Sequence, residues 1–289
     1  MKDAAVFILL GQSNAVGHSV PMAEEDKIVT PMKNVFGLHR DVNQSYDVAR
    51  LTWSGYTSAG MNLGETQDDT YSVANCLART WQDAVDAGQK LPDLYIIHIA
   101  IGAQGVTQKY MWYPDREKGT LTPGKLRTAN MALFPLTCRV LSLVDDSFKK
   151  LGKSYEIMGL HWRGGEEEDG MKVEVLEPVL KGLYNRIFAG FWSALGEKVP
   201  TVIHRLACVD RWIMQDARTG CSSESGAYIN SVFDALAEEH ENVTVFDVRN
   251  APHFVPDVPG NNLFKEDLVH YTPESNRWVA SEIMKAYIK

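Results

Sequence analysis

The apolar run Ala4–Leu10 (AAVFILL) breaks directly into Gly11-Gln12-Ser13-Asn14-Ala15. A short, continuous apolar run predicts a strand buried on both faces, as in a parallel sheet covered by helices. The polar residues that follow predict a tight turn into a helix. Ser13 is therefore expected at the carboxyl end of the first strand, where open α/β sheets bind their ligands.

The rest of the chain repeats this alternation of short apolar runs with longer amphipathic segments. The predicted strands are Ala4–Leu10, Leu94–Ile101, Glu156–His161, Thr201–Ala207 and Val243–Val248. The predicted helices are Tyr71–Ala87, Thr128–Leu151, Glu174–Leu195, Ser223–Glu239 and Pro273–Ile288, the last with Thr272 as its N-cap. We predict a single three-layer α/β domain over residues 1–289, flavodoxin-like, with five mostly parallel strands. Residues 18–70 and Gln104–Lys125 are predicted to be loops.

Composition excludes several classes of function. The chain has 289 residues, is 45% hydrophobic and carries a formal net charge of −8, with a pI near 5.5. An acidic protein is a poor match for nucleic acid, and no apolar run approaches the roughly 18 residues of a membrane span. We interpret Ala4–Leu10 as a core strand rather than a signal peptide, which favours the cytoplasm; a trimmed secreted protein would look similar. The cysteines, which lack any C-x-x-C spacing, are expected to be buried reduced thiols: Cys76, Cys138, Cys208 and Cys221.

A second polar motif, Asp267-Leu268-Val269-His270, stands just before the last predicted helix. Serine is a weak nucleophile that needs a base within hydrogen-bond reach, and that base needs a third group to orient it. Ser13, His270 and Asp267 supply these groups. Each motif alone has a plainer interpretation, a helix-capping serine and a solvated loop, and the Gly-x-Ser-x-Gly elbow is absent because position 15 is alanine.

Taken together, the two motifs resemble the SGNH hydrolases, within them the sialate O-acetylesterase and carbohydrate esterase (acetylxylan esterase-like) branch. Gly11-Gln12-Ser13-Asn14 matches the first block of that family, and Asp267-Leu268-Val269-His270 the last. Ile101-Gly102-Ala103 resembles the second block, in which a glycine N–H points into the oxyanion hole. The resemblance implies a Ser13-His270-Asp267 triad with the N–H groups of Ser13 and Gly102 as oxyanion donors.

The third block departs from the family pattern. The family usually has W-x-Q-G-E, whereas this chain has Trp162-Arg163-Gly164-Gly165-Glu166. Gly164 thus replaces a glutamine whose amide helps to bind the oxyanion, and losing such a donor costs about 3–4 kcal/mol of transition-state stabilisation. Three groups could substitute for it: the amides of Gln104 and Asn14 and the backbone N–H of Gly164. Glu166 matches the family's acid next to the site, where it could orient a group or serve as a second partner for the histidine.

Other conspicuous residues have plainer interpretations. The acidic residues Glu167, Glu168 and Asp169 are expected in a solvated loop. The strand histidines His98, His161 and His204 are expected in the core, since single histidines without ligand spacing rarely bind metal. An aromatic patch near the strand ends could stack on a sugar or pack in the core; its members are Trp53, Trp112, Tyr113 and Trp212.

The sequence therefore predicts a serine esterase that removes O-acetyl groups from a carbohydrate, of the sialic acid or xylan type, by an acyl-enzyme mechanism. No cofactor, metal, nucleic acid or membrane is expected to take part. Two alternatives stay open. One is a catalytically weakened carbohydrate-binding relative, because Gly164 lacks the amide. The other is a thioesterase or lipase-like hydrolase of a different acyl ester.

Overall fold

A parallel sheet with the first strand at its centre organises the structure. The computed structural model describes residues 2–40, 48–65, 69–119, 131–207, 223–255 and 258–288. Its strands are β1 (Ala4–Gly11), β2 (Val35–Leu38), β3 (Trp53–Gly55), β4 (Asp93–Ala100), β5 (Tyr155–Arg163), β6 (Thr201–His204) and β7 (Val243–Phe246). Over the described ranges they form one seven-stranded sheet in the order β3-β2-β4-β1-β5-β6-β7. Neighbouring strands are parallel except β2 and β3, which are antiparallel.

The α/β class is confirmed, but the predicted number of strands is wrong. The five predicted strands correspond to β1, β4, β5, β6 and β7, and they lie in the flavodoxin-like order β4-β1-β5-β6-β7. The additional strands, β2 and β3, lie inside the 18–70 stretch that was predicted to be loop. They are only four and three residues long, too short for a hydrophobic period to be visible.

Helices flank the sheet and match most of the predicted segments. They are α1 (Ser13–Val16), α2 (Val73–Asp86), α3 (Leu133–Leu141), α4 (Val144–Leu151), α5 (Val173–Leu176), α6 (Leu180–Leu195), α7 (Ser223–Glu239) and α8 (Pro273–Ile288). Short 3₁₀ turns occur at Glu24–Asp26, Val248–Asn250 and Pro259–Asn262. No helix in these described segments is long and apolar enough to cross a membrane.

Two predicted helices are each divided. The segment predicted as Thr128–Leu151 forms α3 and α4, and its first residues, 128–130, lie outside the described residues. The segment predicted as Glu174–Leu195 forms α5 and α6, with Pro178 between them. Proline lacks an N–H and disfavours helical backbone in the residue before it, so the break falls there.

The register of β1 determines where the site forms. All eight residues of β1 are buried, and the strand pairs with β4 on one side and β5 on the other. Gly11 is level with Ala100 of β4 and with Arg163 of β5. The turns that follow these three strands therefore meet at one edge of the sheet.

The strand histidines are part of the core, as predicted. His98 is fully buried and its Nε2 lies 2.8 Å from the carbonyl oxygen of Ala15. His161 and His204 are also buried, with 3.0 Å between His161 Nδ1 and His204 Nε2. Burial lowers the pKa of His98 to about 4 and that of His161 to about 3, so both rings are neutral near pH 7.

The cysteines can be placed only in part. Cys76 is buried and Cys138 is partly buried, and both are free thiols. Burial raises the pKa of Cys76 to about 12 and that of Cys138 to about 11, which leaves little reactive thiolate at neutral pH. Cys208 and Cys221 lie outside the described residues.

The prediction of a solvated acidic loop is wrong for Glu168 and Asp169, which are completely buried. Glu168 Oε1 accepts hydrogen bonds from the backbone N–H of Val106 at 2.7 Å and of Thr107 at 3.4 Å. Burial raises the pKa of Glu168 to about 7, and these N–H donors partly offset that effect. The loop after β4 thus takes the place of water around this carboxyl group, an arrangement that residue type alone does not reveal.

Candidate active site

The turn that carries Ser13 is built by a glycine that cannot be replaced. Gly11, the last residue of β1, has φ 141°, and a Cβ there would lie 1.9 Å from the carbonyl oxygen of Arg163. The chain then turns sharply so that Ser13 begins α1 with 8% of its surface exposed. Within the described part of the chain the Ser13 N–H has no hydrogen-bond acceptor. It is therefore free to donate to a ligand.

Asp267 holds His270 through both of its oxygens. Oδ2 lies 2.7 Å from His270 Nδ1, while Oδ1 accepts the backbone N–H groups of Val269 and His270, each at 2.9 Å. Leu268, between them, has φ 59°, a left-handed conformation that leucine rarely adopts. Partial burial raises the pKa of Asp267, but the hydrogen bonds from His270 and Val269 outweigh it and lower the pKa to about 2. Asp267 is therefore ionised at neutral pH.

His270 has the properties of a general base. With Nδ1 donating to Asp267, Nε2 is the nitrogen left to accept a proton. Burial lowers the pKa of His270 below its ordinary value, an effect that the Asp267 carboxylate partly offsets. The neutral imidazole therefore persists to a lower pH than in a free histidine.

Asn14 joins the two ends of the chain at this site. Its Nδ2 donates to the carbonyl oxygen of Val269 at 3.1 Å, and its Oδ1 accepts the N–H of Tyr271 at 3.3 Å. The residue next to Ser13 is thus bonded to the backbone on both sides of His270. Ser13 Oγ and His270 Nε2 do not hydrogen-bond to each other in this structure. Catalytic hydrogen bonds are often long or poorly aligned until a substrate binds.

Glu166, after the end of β5, supports the turn that carries Ser13. Its carboxylate accepts Gln12 Nε2 at 2.6 Å and Asn14 Nδ2 at 2.7 Å. Both N–H groups of the Asn14 amide are therefore used, one by Glu166 and one by Val269. The Asn14 amide therefore has no N–H left to donate to an oxyanion.

The other candidate oxyanion donors differ in availability. Gly102 N–H donates to Glu65 Oε2 at 2.7 Å. Gln104 Oε1 accepts the N–H of Met111 at 3.1 Å, and its Nε2 has no acceptor among the described residues. At Gly164 the φ lies outside the left-handed region, and a Cβ would meet the Trp162 ring at 3.4 Å, an ordinary contact. The backbone does not itself require glycine at position 164.

Two side chains that the sequence did not single out also lie here. His18 Nε2 is 3.5 Å from Glu65 Oε1, and the ring centroids of His18 and His270 are 5.4 Å apart. His18 is only five positions after Ser13 in the sequence, and this closeness could have indicated that it lies near the site. Glu65 stands in the 18–70 stretch without any motif, so no sequence pattern pointed to it.

The aromatic residues do not form one patch. Trp112 is fully buried, and its Nε1 donates to the carbonyl oxygen of Gly11 at 3.1 Å, so it packs under the turn that carries Ser13. Trp53 is half-buried and packs edge-on against Tyr95. Tyr110 donates its hydroxyl to Glu167 at 3.0 Å. Trp212 lies outside the described residues.

Comparison with known proteins gives similarity in structure alone. No protein-family model and no curated protein sequence matches this chain. The crystal structure of NanS superposes with a TM-score of 0.64 and 14% identity, over 99% of this chain and 97% of NanS. This chain therefore shares the overall α/β fold of NanS. A carbohydrate acetylesterase from Xanthomonas citri matches the same fold with a TM-score of 0.52 and 12% identity, over 97% of this chain and 55% of that longer one.

Proposed function

We propose that this protein is a serine esterase that removes O-acetyl groups from a carbohydrate, with Ser13, His270 and Asp267 as its triad. The observation that carries the proposal is the Asn14 bridge, which ties the Ser13 turn to the backbone around an Asp267–His270 pair. The fold shared with a carbohydrate acetylesterase supports the reaction class. The identity of the substrate as an acetylated carbohydrate is likewise a proposal.

The proposed reaction is acyl transfer. His270 Nε2 takes the proton of Ser13 as Oγ attacks the acetyl carbonyl carbon, and Asp267 stabilises the imidazolium that forms. The carbonyl oxygen becomes an oxyanion that the Ser13 N–H stabilises. The tetrahedral intermediate collapses, His270 returns the proton to the departing sugar oxygen, and an acetyl-serine is left. Water, activated by His270, then releases acetate.

The second hydrogen-bond donor to the oxyanion is the group that is hardest to assign in this site. We propose that Gln104 Nε2 supplies it, since this amide nitrogen is unengaged within the described ranges while the amide hydrogens of Asn14 are taken. Glu166 is proposed as a positioning residue that holds Gln12 and Asn14.

A catalytically weakened carbohydrate-binding protein is the second candidate function. Two observations favour it: Gly164 carries no side-chain donor, and the N–H of Gly102 is already bonded to Glu65. Each missing donor removes about 3–4 kcal/mol of transition-state stabilisation, so two would leave little turnover.

Hydrolysis of p-nitrophenyl acetate and of an acetylated sugar by the wild-type protein and Ser13→Ala separates these candidates. The esterase proposal expects turnover of both esters by the wild type and none by Ser13→Ala, with unchanged thermal unfolding. Turnover that survives Ser13→Ala would contradict the triad. Sugar binding without turnover of either ester would favour the binding protein.

A further inference from the structure

The loop that follows β4 is fastened to a buried carboxylate from another part of the chain. Glu168, which follows β5, is fully buried, and its Oε1 accepts the backbone N–H groups of Val106 at 2.7 Å and Thr107 at 3.4 Å. Val106 and Thr107 are themselves buried. Hydrogen bonds to an ionised group are among the stronger kinds, so this pair of contacts fixes the backbone of the loop.

Gly105 allows the carboxylate to come this close. A Cβ at Gly105 would lie 2.0 Å from Glu168 Oε1 and 2.6 Å from its Cδ. The φ of Gly105 lies outside the left-handed region, so the backbone conformation does not itself require glycine. The contact with Glu168 is what requires it. The contact therefore depends on a particular residue in each of the two segments.

Gln104, the proposed second oxyanion donor, stands directly before Gly105. Its Oε1 accepts the Met111 N–H at 3.1 Å, and its Nε2 has no acceptor within the described ranges. The Tyr110 N–H donates to the Thr107 carbonyl oxygen at 2.9 Å, which closes the loop between these contacts. Met111 thus orients the amide of Gln104, while Glu168 holds the backbone two and three positions further on.

Loss of the Glu168 carboxylate would leave the buried N–H groups of Val106 and Thr107 without their acceptor. Unpaired buried donors are costly, so the loop would shift toward other acceptors. An oxyanion donor acts only within about 2.7–3.1 Å of the charged oxygen, so a shift of the loop would remove the Gln104 contact. Because that contact strengthens in the transition state, its loss lowers kcat rather than the affinity for substrate.

We infer that Glu168 is a positioning residue for the oxyanion: by binding the N–H groups of Val106 and Thr107, it holds the Gln104 amide where the charge develops. This inference rests on the proposed esterase function and on Gln104 as the second donor. A merely structural role for Glu168 would lower stability without acting through Gln104.

A double-mutant cycle tests this, with kcat and KM for p-nitrophenyl acetate measured in the wild type, Glu168→Met, Gln104→Ala and the double variant. Methionine keeps an unbranched side chain and removes both oxygens. Gln104→Ala should lower kcat by about 100-fold, and Glu168→Met by about 10- to 100-fold, with KM little changed. The double variant should be about as slow as Gln104→Ala alone, because Glu168 acts through the amide that is already missing.

Two further variants probe the same contact. Glu168→Gln keeps an acceptor oxygen for the two N–H groups, so it should retain clearly more kcat than Glu168→Met. Gly105→Ala places a Cβ against the carboxylate, so it should lower kcat from the other side of the contact, even if Glu168→Met does not fold. Combined with Gln104→Ala, it should also add little further loss.

Gln82→Met is the matched control. Gln82 is a buried side chain whose Oε1 accepts a backbone N–H, that of Asn34 at 3.0 Å. Asn34 precedes β2, so this contact lies at the amino end of the parallel strands, away from Ser13. Gln82→Met should leave kcat unchanged, and any loss of thermal stability in it measures the cost of removing such an acceptor alone.

The outcomes separate the inference from the function beneath it. The inference is overturned if the losses in Glu168→Met and Gln104→Ala multiply in the double variant, if Glu168→Gln falls as far as Glu168→Met, or if kcat is unchanged in Gln104→Ala or in Gly105→Ala. Each of these results leaves the Ser13 triad intact. Ester hydrolysis that persists in Ser13→Ala, or that is absent from the wild type, would instead overturn the proposed function itself.

Discussion

The side-chain amide of Asn14 bonds to the backbone on both sides of His270, through the Val269 carbonyl oxygen at 3.1 Å and the Tyr271 N–H at 3.3 Å. Asn14 directly follows the proposed nucleophile, so one residue sets the position of the base relative to the serine. A displacement of about 1 Å between reacting groups can cost about 100-fold in rate. Under the proposed mechanism, the amide is expected to affect catalysis without touching a reacting atom.

Asn14→Ala should lower kcat by about 100-fold and leave KM little changed, because it releases the His270 backbone. It should also destabilise the fold by about 1–3 kcal/mol, since Glu166 loses a donor. Asn230→Ala is the matched control: Asn230 is a buried asparagine bonded to both the N–H and the carbonyl oxygen of Leu206, at 2.9 and 3.0 Å. Equal losses of kcat in both variants would argue against a positioning role.

Asp267→Asn should lower turnover by up to about 10⁴-fold without unfolding the protein, because control of the His270 tautomer is lost. Steady-state kinetics test the loss of turnover, and thermal unfolding tests whether the variant stays folded. Near-full activity in this variant would make Glu166 the leading candidate for the acid that orients the histidine.

In a plot of kcat/KM against pH, the fall in activity on the acid side (the acid limb) should have an apparent pKa below 6.5, the ordinary value for histidine. The reason is that burial lowers the pKa of His270. Asp267 opposes this shift, whereas His18 and Lys265 add to it by charge repulsion. Since the neutral ring is the active form, activity is retained as the pH falls until His270 is protonated. His18→Gln removes a neighbouring charge and should move the limb to higher pH. A limb above 6.5 in the wild type would contradict His270 as the base.

Gly164→Gln should raise turnover by up to about 100-fold by supplying the amide that the third block lacks. The structure has room for a Cβ at 3.4 Å from Trp162 and no left-handed φ to oppose it. Gly165→Gln is the contrasting variant, since φ there is 129° and a side chain would be strained. Folded Gly164→Gln protein with unchanged or lower turnover would contradict a rate limited by that amide.

p-Nitrophenyl acetate should be hydrolysed far faster than the butyrate or octanoate ester if the acyl pocket accepts only acetyl. The comparison uses kcat/KM for each ester, with Ser13→Ala as the blank. A preference for long acyl chains would favour the lipase-like alternative over the acetylesterase.

The sheet was largely predictable because its central strands are buried on both faces. Ala4–Leu10 is apolar throughout for that reason, and the same signal identified four other strands. β2 and β3 were missed because four- and three-residue strands carry no readable period. The hydrophobic periodicity predicted one helix across residues 174–195, but Pro178 divides that segment into two helices.

One can predict from the amino-acid sequence the α/β class, the serine at the end of the first strand and the Asp267–His270 pair, because these depend on residue type and on short spacings. Which hydrogen-bonding groups are already occupied follows only from how the folded chain packs. The Asn14 amide is used by Glu166 and Val269, and the Gly102 N–H is used by Glu65, a residue with no motif around it. The reason is physical: a buried donor bonds to whichever acceptor the packing brings within about 3 Å, and such partners come from segments far apart in the chain.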